Sequence, residues 1–322
     1  MEFLQRDLSS AAALFLAKSR GVRNRFFNEF DFFVDSPDLR SMDTLIERAC
    51  TTQRVQFSYA EQVTTPFRRF LIETIERLTA RAKLEHLYRQ NRLNPVEGES
   101  FWSAAVRLLD LDIRFDAAAL ASAPAQGPLV VIANHPYGVL DGVTLCWLVE
   151  RLRPDFRLLA SSVLTQAPEL QPWLLPVDLS TRESARAMNI ATRRKALEHV
   201  RNGGALIVFP AGLISVSPDR AGRRRAIDPP WGTFAAQLVR RTGATVLPVY
   251  FHGQNSRLFQ IASHIDRTLK LALIFREVGA RIGSSVTVSI GAPVPFAQLA
   301  NGRGDRALID ELRERTYSLA DD

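Results

Sequence analysis

Cysteine is scarce in this 322-residue sequence: only Cys50 and Cys146 occur, far apart and without metal-ligand or redox spacing. A disulfide scaffold, a zinc cluster and a dithiol motif are therefore not expected, no metal is expected, and a reducing, cytoplasmic compartment is. Long apolar runs are missing too. No uninterrupted stretch reaches the roughly 18 to 20 residues that cross a bilayer, and the N-terminal "MEFLQRDLSS" carries acidic residues where a signal peptide starts basic. Neither a spanning nor an exported protein is expected. Internal repeats and low-complexity tracts are absent as well.

What is present is an uneven charge. The formal net charge is +7, and residues 181 to 225 hold ten Lys/Arg against three Asp/Glu, while the rest of the chain balances at 31 of each. A concentrated basic stretch suits an anionic partner such as a nucleic acid, a lipid headgroup layer or a phosphate-bearing substrate. Nucleic acid is the weakest of these, because no aromatic and basic residues interleave on a strand pair as a stacking platform requires.

The length allows one large α/β domain with an N-terminal helical extension. Residues 1 to 104 are read as that extension, a membrane-associating one, and residues 105 to 322 as the α/β domain. Pro66 to Ala82 has the helical spacing of an amphipathic segment, and a second helix is expected around Phe101 to Leu109. Leu111, Ile113 and Phe115 then alternate with period two. Strands are expected at about 129–133, 156–160, 173–178, 205–209, 245–251 and 286–290, and helices at about 141–152, 183–201 and 232–242. Ser180 and Glu183 have capping-box spacing before the second of these helices, and Gly203-Gly204 stops it. This alternation predicts an α/β fold with a largely parallel or mixed sheet flanked by helices, whose sites form at the carboxyl ends of strands.

The segment "VVIANHPYGVLDG", residues 130 to 142, sits at such an end. Asn134 and His135 follow the strand directly, and Asp141 opens the next helix. A carboxylate a few residues from an imidazole can accept its N–H, fix its tautomer and stabilise the imidazolium that forms when the other nitrogen takes a proton. Equally, Asp141 can serve only as a helix cap and His135 as a strand end. Three further stretches run from an apolar strand into a polar or glycine-containing turn: "WLLPVDLSTR" (173–182), "ALIVFPAGLIS" (205–215) and "ATVLPVYFHG" (244–253).

The order of these blocks over roughly residues 105 to 295 resembles the glycerolipid and lysophospholipid acyltransferase family, and "ANHPYGVLDG", "VFPAGLISV" and "DPPWGTFAAQLVRRTGATVLPVYFHGQNSRLFQ" resemble its bacterial hemolysin-like branch. The resemblance implies a glycerol-3-phosphate acyltransferase-like fold and transfer of a fatty acyl group from acyl-CoA or acyl carrier protein to the hydroxyl of a lysophospholipid or related lyso-lipid. No cofactor beyond that co-substrate is implied. It makes His135 the base and Asp141 its orienter, and it assigns substrate binding to Asn134, Arg182, Phe209, Pro210 and Gly212. Two positions depart from the family pattern. Five residues instead of four separate His135 from Asp141, and Ala211 stands where the family's F-P-E-G block has glutamate.

Arg220, Arg223, Arg224 and Arg225 are candidates for anionic headgroups or the donor's phosphates. Pro229, Pro230 and Trp231 fit either an interfacial anchor or a turn before a helix. His252, Asn255 and Arg257 are candidates to line the cleft, whereas His86, His199 and His264 are read as structural. The expected protein is thus a peripheral acyltransferase on the inner face of the cytoplasmic membrane. A non-catalytic lipid-binding or lipid-transfer protein on the same fold is the alternative.

Overall fold

Three nearly unbroken apolar runs, LVVIA, ALIV and TVLPVYF, form the middle of a seven-stranded sheet. Strands buried on both faces read this way because helices cover each side. The computed structural model describes residues 80–178, 183–299 and 304–320, which belong to one compact unit. In chain order, helices α1 (Arg81–Leu93) and α2 (Phe101–Leu108) precede strand β1 (Asp112–Arg114), the short helix α3 (Ala117–Ala121) and strand β2 (Leu129–Ala133). Then come α4 (Val139–Leu152), β3 (Arg157–Ser161), β4 (Leu174–Val177), α5 (Glu183–Arg201) and β5 (Ala205–Val208). The remainder is α6 (Phe234–Thr242), β6 (Thr245–Phe251), α7 (Arg257–Ile265), α8 (Arg267–Ala272), α9 (Ile274–Ala280), β7 (Ser285–Ile290), α10 (Phe296–Leu299) and α11 (Asp305–Ser318).

The strand order is β1-β7-β6-β2-β5-β3-β4. Every pair is parallel except β6 with β7, so the sheet is mixed: β1 and β7 run against the other five. Successive side chains of a strand point to opposite faces, and β2 shows the result. Leu129, Val131 and Ala133 enter the core under α2, α4 and α7, while Val130 and Ile132 enter the one under α5, α6 and α11.

Most expected elements fall within a residue or two of their observed bounds. The expected helix at Pro66 to Ala82 lies almost wholly outside the described residues, as does Ser180. The expected division at 104/105 falls inside α2, whose Trp102 and Val106 pack in the same core as Leu129. No helix among the described residues is long and apolar enough to cross a membrane.

Candidate active site

Strands β2, β5 and β6 are adjacent and parallel, so the chain leaves Ala133, Val208 and Phe251 at one edge of the sheet. Three segments meet there: residues 134–138, the 25-residue stretch 209–233 between β5 and α6, and residues 252–256. A connection as long as the second is uncommon in a compact domain unless it has a function.

His135 stands at the centre. Its Nδ1 lies 3.1 Å from Oδ2 of Asp141, whose side chain is fully buried while that of His135 is 18% exposed. The distance is that of an ion pair, although the ring N–H is not aimed closely enough for a straight hydrogen bond. Such bonds often tighten only when substrate is bound. The same Oδ2 accepts the main-chain N–H groups of Tyr137 and Gly138, each at 2.8 Å. Asp141 is therefore both things the sequence allowed, the acidic residue of a capped helix start and the partner of the imidazole. Its Oδ1 is buried without a hydrogen-bond partner among the described residues, and burial pushes its carboxyl above the usual range against the opposing pull of His135 and the two N–H groups.

The fifth residue between His135 and Asp141 is absorbed by Gly138, whose φ of 81° lies in the region that glycine tolerates. A Cβ there would sit 2.6 Å from Ile214 Cδ1, so the turn closes directly on the segment after β5. Tyr137 fixes the other side. Its hydroxyl donates to the His252 carbonyl at 2.7 Å, and the Arg281 guanidinium lies 4.0 Å from its ring centroid.

The residues assigned to substrate binding are placed as follows. Asn134 is buried, and its amide donates to the Phe251 carbonyl at 3.0 Å and accepts from the Phe251 N–H at 2.7 Å. Both ends of that amide are engaged with β6, which makes Asn134 a lock on the strand end. Phe209 packs against the imidazole, ring centroids 4.1 Å apart. Pro210 is buried and its carbonyl accepts from Gly232 N–H, and the N–H of the exposed Gly212 is engaged with the Phe209 carbonyl at 2.9 Å. Arg182 lies outside the described residues.

Arg220, Arg223, Arg224 and Arg225 are all exposed. Asp219 organises their loop: its carboxylate accepts the N–H groups of Arg223 and Arg224 and the Ser217 hydroxyl, which together hold it well below the usual carboxylate range. Trp231 is 1% exposed and its indole N–H donates to Asp228, so an interfacial anchor is excluded and the turn before α6 stands. His252 Nε2 contacts the Ser289 hydroxyl at 2.7 Å; burial, then Arg225, lowers its pKa. Arg257 donates to the Ala221 carbonyl, and Asn255 is buried with neither amide atom hydrogen-bonded among the described residues. His199 and His264 contact the carbonyls of Ala205 and Ser217, in keeping with structural roles. Sequence reasoning missed Tyr137, Ser215 and Asp228. The run "IDPPWG" marks a constrained turn, but nothing in it shows that its aspartate reaches a residue 93 positions away.

An imidazole backed by a buried carboxylate, at the strand ends of an α/β sheet, is the equipment of an enzyme that activates a hydroxyl. The family model for Acyltransferase matches residues 69–322; the chain belongs to that family and is an acyltransferase. It is 26% identical over 249 residues to the lyso-glycine lipid O-acyltransferase of Phocaeicola vulgatus, a match spanning 73% of this chain and 86% of that protein. The protein of the same description from Bacteroides thetaiotaomicron is 22% identical, with 73% and 88% covered. Among solved structures the chain is similar to the 1-acyl-sn-glycerophosphate acyltransferase PlsC from Thermotoga maritima, at 18% identity, 78% and 80% coverage and a TM-score of 0.42.

Proposed function

We propose that this acyltransferase moves a fatty acyl group from a thioester donor, acyl-CoA or acyl carrier protein, to the hydroxyl of a lyso-lipid. The observation that carries the reading is the contact between His135 Nδ1 and the buried Asp141 carboxylate at the edge where β2, β5 and β6 end. With Nδ1 turned to Asp141, Nε2 is the ring nitrogen that takes the acceptor's hydroxyl proton. The oxygen then forms its bond to the thioester carbonyl carbon, the C–S bond breaks, and the imidazolium returns the proton to the thiolate. Ester and thiol are the products. Asp141 holds the ring in the required tautomer and stabilises the imidazolium between the two proton transfers, and Phe209 limits how far the ring can turn.

The acceptor reading rests on two supports. Two relatives are described as lyso-glycine lipid O-acyltransferases, and Ala211 replaces a carboxylate with an apolar side chain beside the site. Both favour an acceptor that already carries an acyl chain, a lysophospholipid or a lyso-amino-acid lipid, over free glycerol 3-phosphate. Arg182 is the proposed anion contact. The protein works, in this reading, from the inner face of the cytoplasmic membrane. The arginine loop is held by α7, through Arg257 and Ala221, and exposed Leu213, Ile227, Leu258 and Ile265 belong to the same two segments. Basic side chains interleaved with exposed apolar ones suit an anionic lipid surface.

The test is an acyl-transfer assay on a panel of lyso-acceptors with lipid mass spectrometry as readout. Parent protein is expected to acylate lyso-lipids, and His135→Ala to lose about 10²- to 10⁴-fold in rate with the fold intact, the usual worth of a positioned base. Full turnover by His135→Ala overturns the mechanism. Efficient acylation of glycerol 3-phosphate with lyso-acceptors ignored overturns the acceptor.

A further inference from the structure

We infer that Asp228 is a positioning residue for the catalytic histidine, acting on its main chain and tying the site to the C-terminal helix. This rests on the assignment of His135 as the base. The regular pairing of β2 ends at Ala133 on the β6 side and at Ile132 on the β5 side. Beyond those points the chain should diverge from its neighbours, yet it is held for two residues more. Asn134 continues the pairing toward β6 with its side chain, as described above. His135 continues it on the other side. Its N–H donates to Asp228 Oδ1 at 3.1 Å, and its carbonyl accepts the Ser215 N–H at 2.9 Å.

Asp228 is 2% exposed and every oxygen of its carboxylate is used. Oδ1 also accepts the Ser215 hydroxyl at 2.5 Å, and Oδ2 accepts the Trp231 indole N–H at 2.8 Å. Three donors thus converge on one acceptor-only group. An amide in its place must turn an NH₂ toward one of those donors, and a buried donor facing a donor is unsatisfied. The main chain of Asp228 is itself held by α11. Its N–H donates to the Tyr317 hydroxyl at 2.8 Å, and its carbonyl accepts from the Arg313 guanidinium at 3.1 Å. A chain of direct contacts therefore runs from α11 through Asp228 to the peptide that carries the imidazole. The side chain of Asp141 is fixed independently, by Tyr137 and Gly138, so a shift of the His135 peptide changes the distance between the two members of the dyad.

The experiment is a double-mutant cycle in kcat with Asp228→Asn and Asp141→Asn, each variant checked for its folded fraction. A misplacement of about 1 Å can lower a rate by ~10²-fold. Asp228→Asn is expected to lower kcat by about that factor per folded molecule while KM for donor and acceptor stays within about two-fold. The double variant should lose clearly less than the product of the single losses, because both substitutions act through one imidazole. If Asp228→Asn folds and keeps the parent kcat, or the losses multiply, the inference is overturned. Should that variant not fold, Ser215→Ala removes one donor and leaves the carboxylate in place. A loss in kcat without a change in KM supports the inference, and an unchanged kcat overturns it. A His135→Ala protein that still turns over would instead remove the assignment of the base.

Discussion

Asp141 does two jobs with one oxygen, and they pull in opposite directions when the residue is changed. Burial raises its pKa, so the folded chain binds a proton here more readily than the unfolded chain does. Between the unfolded and the folded pKa the unfolded state therefore holds fewer protons, and the stability this site contributes falls as pH rises through that window. Wherever the group is ionised, its buried charge is a burden on the fold, while in the proposed mechanism it supports the imidazole. Asp141→Asn keeps an oxygen that can accept from Tyr137 and Gly138 but removes the charge. It is expected to lose much of the acyl-transfer rate while melting no lower than the parent at pH 7, with any advantage shrinking as pH falls toward the unfolded carboxylate value. Thermal melts across pH 4 to 7 beside rate assays would show this, and a variant that melts well below the parent at pH 7 would mean the ionised pair holds the fold together.

At the scale of elements, the turn between β2 and α4 brings His135 and Asp141 within contact across a five-residue spacing. Gly138 is its pivot: the backbone is at φ 81° and Ile214 fills the space where a side chain would go. Gly138→Ala meets both obstacles, and a non-glycine residue in so sparsely populated a conformation costs about 1–3 kcal/mol. The expected result is a measurable drop in stability together with a fall in transfer rate larger than the loss of folded protein explains. Trimming Ile214 to Val should relieve little of it, since the dihedral is unchanged. A Gly138→Ala enzyme with parent rate and melting temperature would show that the turn has another way to close.

The strands were largely legible, and the helices only in part. The strands at 129–133 and 245–251 and the helix at 183–201 stand where composition and period place them, because each is strongly patterned and ends at a glycine-containing turn. Helices α1, α3 and α7 to α11 were not anticipated. Most of them are short, and α9 carries a buried Glu277 that bonds Ser256, so its apolar face is interrupted. The direction of β7 was not legible either, since order along the chain says nothing about which way a neighbour runs. Within the site, His135 and Asp141 were readable because they are six residues apart. Asp228 was not, because its partners lie in β2's loop and in α11, and no local period reports a contact across such distances.

For the molecule as a whole, the excess positive charge of the sequence is concentrated in residues 181 to 225, and four of those residues form the exposed arginines on the 209–233 connection. Each basic side chain near an anionic bilayer adds a similar increment of attraction, and four together correspond to as much as ~10³-fold in partitioning at low salt. Replacing Arg220, Arg223, Arg224 and Arg225 by glutamine is expected to release the protein from vesicles containing anionic lipid, in sedimentation at low salt, while a water-soluble short-chain acceptor is still acylated. If binding survives and the soluble acceptor is lost, the arginines serve the donor's phosphates instead.

The contacts that hold His135 come from very different moments in the life of the chain. On the ribosome, β2 and the loop that carries His135 emerge before β6 and α11: Asn134 has no Phe251 to grip until more than a hundred further residues are made, and Asp228 has no Tyr317 behind it until the synthesis of α11. With His135 as the proposed base, the nascent protein therefore builds much of its sheet before that base is held in place. If Asp228 positions His135 as inferred above, a chain that stops before α11 carries the whole dyad and is a poor enzyme. In that reading activity arrives with α11, after the 209–233 connection that carries the exposed arginines has already been made.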